Sequence, residues 1–222
     1  MLQLTHETEE PPNVTAPLLP NHLVVPVVVI DDADQAVPLG KALLAGGIAV
    51  MEVTLRTEAG LEGIRRLAEL EGMTVGAGSV LTPAQVDEVV EASATFVVSP
   101  GISPDVVRRA QELDVPALPG ISSSTDLMSA VALGLREVKF FPAGLLGGPK
   151  MIKALSAPFG GITFMPSGGV TLDNLGEYLA LPCVPAISGT WMVEKSLVNA
   201  GRWDEITRLA AEATAAAQAA TV

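Results

Sequence analysis

The chain has 222 residues, 49% of them apolar, a formal net charge of −12 and one cysteine. That length fills one large core, no apolar run approaches the roughly 20 residues that span a bilayer, and the lone Cys183 excludes an intrachain disulfide framework and fits a reducing compartment. The negative charge leaves no basic stripe to displace counterions from nucleic acid, so any site for an anionic substrate has to be built locally from a few side chains and helix N-termini.

Residues 1–21 are acidic and proline-rich and read as a loosely ordered arm. They lack the basic flank and apolar stretch of a signal peptide, so Asn13-Val14-Thr15 is read as a chance match to the glycosylation pattern and a cytoplasmic location is expected. Residues 22–222 read as one domain. Its strand candidates are 24–30, 48–55, 74–77, 95–99, 115–119, 137–142, 162–166 and 184–187. Helical patterns fall between them at 33–45, 58–70, 83–91, 103–113, 124–133, 149–155 and 172–180. A last helix near 203–219 would put Trp203, Ile206, Leu209 and Ala213 on one face. Strands alternating with helices at this spacing require parallel pairing and crossovers. An open doubly wound sheet would more usually have fewer strands and a glycine turn after the first, whereas here that strand ends in Ile30-Asp31-Asp32. The expected fold is therefore a closed α/β barrel of the (β/α)8 (TIM) type, with its chemistry at the C-terminal ends of the strands.

Polar residues stand where such strands should be apolar. In the second strand, period-two alternation puts Glu52, Thr54 and Arg56 on the face opposite Met51, Val53 and Leu55. The outer face packs on helices, so the polar set points into the barrel mouth, either as a self-satisfied Glu–Arg ion pair or as working groups. The sixth strand carries Lys139 between Val138 and two phenylalanines, and the other four of the five lysines lie in helical or loop contexts. Apolar surroundings favour the neutral, nucleophilic form of an amine; the alternative is a lysine that snorkels to solvent. A carboxylate and an amine on two inward strands suit acid–base work.

The seventh and eighth strands end in Pro166-Ser167-Gly168-Gly169 and Ile187-Ser188-Gly189-Thr190. Glycine turns on the last two strands of a barrel are a frequent phosphate site. The third strand leaves through Gly76-Ala77-Gly78-Ser79, which brings a hydroxyl to the mouth. The only histidines, His6 and His22, lie before or at the first strand, and no acidic cluster has metal-ligand spacing, so no metal is expected. A carbonyl substrate is then activated by an imine.

The runs Glu52-Val53-Thr54-Leu55-Arg56-Thr57, Gly76-Ala77-Gly78-Ser79, Ser99-Pro100-Gly101, Pro119-Gly120-Ile121-Ser122 and Lys139-Phe140-Phe141-Pro142, with the glycine turns and Trp191, resemble the 2-keto-3-deoxy-6-phosphogluconate aldolases in register from about Val24 to the last helix. The resemblance implies a class I aldolase, a homotrimer without cofactor, acting on a phosphorylated keto acid and also on 4-hydroxy-2-oxoglutarate. By position it assigns the imine to Lys139, proton transfer to Glu52 and the pyruvate carboxylate to Arg56 and Ser79. It places Pro100 and Phe141 against the substrate, Ser167 beside the aldehyde portion, and Gly168, Gly169, Gly189 and Thr190 on the phosphate.

Three features depart from the family pattern. Ser79 and Ser167 stand where threonine is common, and the missing methyl at Ser167 relaxes discrimination between C4 epimers, one methyl contributing about 1–3 kcal/mol. The loop 143–148 is more apolar than expected, and the proline-rich start does not match a short helix that often closes the barrel bottom. The rivals are the sister aldolase for the galactonate epimer, against which Leu55-Arg56-Thr57 argues, a silent barrel kept as a scaffold, and a metal-dependent phosphosugar epimerase.

Overall fold

A computed structural model describes residues 22–221, so the reading of 1–21 as an arm lies outside the described residues. Eight strands are present: β1 (Val24–Val28), β2 (Val50–Thr54), β3 (Thr74–Gly78), β4 (Val97–Ser99), β5 (Ala117–Ile121), β6 (Glu137–Phe140), β7 (Thr163–Pro166) and β8 (Ile187–Gly189). All pairings are parallel, in the order β7-β6-β5-β4-β3-β2-β1-β8. Phe164 N–H donates to the Cys183 carbonyl at 2.8 Å, which joins β7 to the chain entering β8 and closes the ring. This is the expected barrel, with no open edge left to protect.

Helices follow the strands: α1 (Ala36–Ala45), α2 (Ala59–Ala68), α3 (Pro83–Glu91), α4 (Pro104–Glu112), α5 (Ser124–Ala132), α6 (Gly148–Ser156), α7 (Leu175–Leu179), α8 (Lys195–Asn199) and α9 (Trp203–Ala220). Local chemistry sets their starts. Thr82, Ser103 and Ser123 cap α3, α4 and α5 with their hydroxyls, and Ser123 with Asp126 forms a reciprocal capping box. The expected helix at 33–45 opens instead with a 3-10 turn at Ala33–Gln35, because the Asp32 carboxylate accepts from Asp34 N–H and tightens the entry. Among the described residues, no helix is long and apolar enough to cross a membrane.

The buried stripe of α9 is Ile206, Ala210, Ala213 and Ala217, while Trp203 and Leu209 are half-buried at its edges. Alanines let α9 press on the end of α1: a Cβ on Gly46 would lie 2.5 Å from the Ala210 Cβ. Thr207 and Thr214 donate to the Ala42 and Gly46 carbonyls at 3.0 and 3.1 Å, tying the end of α1 to α9. Burial of a side chain such as Ile206 contributes about 1.5–3 kcal/mol.

The strands differ from their expected bounds by a residue or two at their ends, and two are displaced along the chain in ways that matter at the site. The fifth strand, expected at 115–119, runs Ala117–Ile121 and brings Gly120 into register with Lys139. The eighth, expected at 184–187, runs Ile187–Gly189 and pairs with Val24, Val25 and Pro26. Pro185 has no N–H for a ladder, so regular pairing begins after it.

Candidate active site

Side chains on one level of the barrel are fixed by register. Glu52 is paired with Val27 of β1 and Gly76 of β3, and Lys139 with Gly120 of β5 and Met165 of β7. The glycine beside each charged residue makes room for another group: the Phe96 ring takes the space at Gly76 and the Pro100 carbonyl that at Gly120. Glu52 and Lys139 are 1% and 6% exposed, and Lys139 Nζ donates to both Glu52 oxygens at 3.0 Å. The pair bridges strands 87 residues apart in sequence. A buried ion pair of this kind loses solvation from both partners and is weak as a source of stability. The expected apolar pocket around Lys139 is thus a half-truth: Phe141 lies on one side, its ring centroid 5.7 Å from Nζ, and a carboxylate on the other.

Above the pair is a cavity of about 190 Å³, lined by Val27, Glu52, Thr54, Arg56, Ser79, Pro100, Lys139, Phe141, Ser167, Gly168, Gly169, Val170, Gly189 and Thr190. Every residue expected at the site is in this lining. Each comes from the C-terminal part of a strand or the loop after it, as a barrel requires. The sequence reading did not single out Val27 or Val170, and it placed Thr54 on the inward face without giving it a task. Thr54 has one: its buried hydroxyl donates to the Val28 carbonyl at 3.0 Å and accepts from Arg56 Nε at 3.2 Å. With its one proton committed to Val28, the hydroxyl offers Arg56 only a lone pair, and this steers the guanidinium. Arg56 has no carboxylate partner among the described residues, and the internal Glu–Arg pair weighed from the sequence is not formed, because Glu52 lies on Lys139.

The opposite wall is main chain. Gly168 and Gly169 have φ of +84° and +87°, a conformation that glycine adopts without a Cβ penalty. The carbonyls of Ser167 and Gly168 accept from Ala143 and Gly144 N–H, both at 2.8 Å, and that of Gly169 from Asn174 Nδ2 at 2.9 Å. Among the described residues, the N–H groups of Gly168, Gly169 and Val170 have no acceptor. A turn with its carbonyls engaged and its N–H groups free is an anion cradle. The small apolar loop 143–148 engages the Ser167 and Gly168 carbonyls: a Cβ on Gly144 would lie 3.3 Å from Gly169 Cα. The hydroxyls of Ser79, Ser167 and Thr190 also have no hydrogen-bond partner among the described residues. Ser79 has a φ of +59°, unusual for a residue other than glycine.

An amine and a carboxylate in proton-transfer contact at the mouth of a parallel barrel mark the class of barrel enzymes that form imines with carbonyl compounds. Residues 17–209 match the family model for KDPG and KHG aldolase, and the chain belongs to that family. The 2-dehydro-3-deoxy-phosphogluconate aldolase of Dickeya dadantii is 47% identical over 88% of this chain and 92% of the relative. The KHG/KDPG aldolase of Escherichia coli K12 is 46% identical over the same shares. The crystal structure of the KDPG aldolase from Legionella pneumophila, with pyruvate captured at low pH as a covalent carbinolamine, superposes with a TM-score of 0.83 at 39% identity, covering 86% of this chain and 93% of that one.

Proposed function

We propose that this protein is a class I aldolase that cleaves 2-keto-3-deoxy-6-phosphogluconate to pyruvate and glyceraldehyde 3-phosphate, and 4-hydroxy-2-oxoglutarate to pyruvate and glyoxylate. The observation that carries the proposal is the buried contact of Lys139 Nζ with both Glu52 oxygens at 3.0 Å, opening onto a cavity. Glu52 takes a proton from Lys139, and the freed amine attacks the C2 ketone. A second proton passes from the attached nitrogen to the former carbonyl oxygen, and the proton held by Glu52 then completes the water that leaves. The resulting iminium draws electrons as Glu52, again a carboxylate, takes the C4 hydroxyl proton and the C3–C4 bond breaks, releasing the aldehyde. Glu52 then protonates C3 of the enamine, and water hydrolyses the imine to pyruvate and free Lys139. C3 and the departing oxygen are both attached to the carbon that bonds Nζ, so a carboxylate in hydrogen-bond contact with Nζ reaches each in turn.

Arg56, steered by Thr54, and the open hydroxyl of Ser79 hold the pyruvate carboxylate. Pro100 and Phe141 flank the keto acid, and Ser167 lies beside the aldehyde portion. The phosphate sits on Gly168, Gly169, Gly189 and Thr190, where free N–H groups answer the need for a local anion site in an acidic protein. No cofactor takes part. The enzyme works in the cytoplasm as a homotrimer and binds neither nucleic acid nor membrane; its one cysteine and family resemblance support the compartment and assembly.

Incubation with pyruvate and borohydride, followed by peptide mass spectrometry, tests this mechanism. A reduced pyruvate adduct is expected on Lys139 alone. A folded sample that acquires none overturns the imine mechanism and brings the silent scaffold forward.

A further inference from the structure

Four strand glycines leave spaces that other groups occupy; a Cβ on Gly189 would lie 1.9 Å from the Trp191 ring. A Cβ on Gly76 would lie 2.2 Å from the Phe96 ring, one on Gly120 2.2 Å from the Pro100 carbonyl oxygen, and one on Gly78 2.2 Å from Glu52 Oε1. Only the last meets a titratable group. The backbone does not ask for glycine there, since Gly78 lies inside β3 and its φ is outside the left-handed region. The three atoms nearest its missing Cβ are Oε1, Cγ and Cδ of Glu52, at 2.2, 2.6 and 2.8 Å. The carboxylate therefore fills the volume that a side chain at 78 would take.

Register explains the lean. Glu52 is paired with Gly76, but the space beside Gly76 holds the Phe96 ring. Gly78 is paired with Thr54, one inward step nearer the mouth. The Phe96 ring beside Gly76 and the empty side-chain position at Gly78, nearer the mouth, direct Glu52 toward where it meets Lys139.

We infer that Gly78 is a positioning residue for the proton transfers: its missing side chain is the seat of the Glu52 carboxylate. This rests on Glu52 being the proton carrier. Gly78→Ala should move the carboxylate while leaving Lys139 able to form its imine, and three readouts separate these effects. Borohydride trapping reports the imine, exchange of the pyruvate methyl protons with D2O reports transfer at C3, and thermal unfolding reports the fold. The expected result is a trappable imine with exchange slowed about a hundredfold, the scale of a misplacement of about 1 Å. In an E52A background the same substitution should alter neither exchange nor Tm, because the atoms it strikes are gone.

A Gly78→Ala effect on exchange or Tm that is as large in the E52A background as in the native one overturns the proposal. If Gly78→Ala alone does not fold, a folded G78A/E52A double variant supports it and an unfolded one overturns it. Native exchange by E52A alone would remove Glu52 from the mechanism and the proposal with it. Slow exchange by E52A, combined with independent effects of the two substitutions, would reject only the seat.

Discussion

The two walls of the cavity are built from different materials. On the side of β2 and β6, two long charged side chains cross the barrel to meet, each fixed by register with a glycine neighbour. On the side of β7, the wall is a turn whose carbonyls are tied back to the loop after β6, leaving N–H groups toward the cavity. The first wall can change protonation state and make a bond; the second can only hold. Substitutions on the first should therefore strike turnover, and substitutions on the second should strike affinity for one part of the substrate.

The largest effect is expected from Lys139→Met, which removes the nucleophile. Turnover should fall by about 10⁴–10⁶-fold, and Glu52, left buried without its partner, should lower stability by about 3–5 kcal/mol. Steady-state assay with denaturant unfolding measures both, and residual turnover within tenfold of native would break the division of labour. Glu52→Gln keeps the volume and loses the exchangeable charge, so kcat should drop by about 10²–10⁴-fold with the circular dichroism spectrum unchanged; near-native kcat would take Glu52 out of the reaction.

On the holding wall, Gly169→Ala places a Cβ at a φ of +87° and 3.1 Å from Gly144 Cα. The local strain of about 1–2 kcal/mol should raise KM for the phosphorylated substrate about tenfold and leave that for 4-hydroxy-2-oxoglutarate unchanged. An equal rise for both would show that the turn serves the whole substrate rather than its phosphate. The smallest effect belongs to Ser79→Gly, which relieves a left-handed serine. It should stabilise the fold by about 1 kcal/mol while raising the pyruvate concentration needed for half-maximal trapping by about 2–10-fold. A variant that gains stability with no loss of pyruvate affinity would show that the hydroxyl is idle.

The sequence carried the reacting wall more completely than the holding one. Glu52 and Lys139 were legible because charged residues in apolar strands contradict the pattern around them, and alternation said which way they point. Gly168 and Gly169 were legible as a glycine turn suited to phosphate, but not as a turn whose carbonyls are tied away. The fate of the Ser167, Gly168 and Gly169 carbonyls depends on Ala143, Gly144 and Asn174, contacts that no local pattern encodes. Thr54 was visible on the right face, but its commitment to Val28 and Arg56 is a matter of three-dimensional geometry. The strand ends at 120–121 and 188–189 were missed for a simpler reason: glycine and serine have low strand propensity, and pairing with Lys139 and with β1 overrides it. The short helix Lys195–Asn199 and the 3-10 turn Trp191–Val193 are too brief to show a period.

Phe96 is fully buried, and its ring takes the space beside Gly76, the register partner of Glu52. Substrate, the water that hydrolyses the imine and both products share the cavity at the C-terminal ends of the strands. Covalent attachment then sets the queue. The aldehyde departs while the pyruvate half is still tethered to Lys139, pyruvate follows only after water has entered, and any free pyruvate outside contends with fresh substrate for the same cavity.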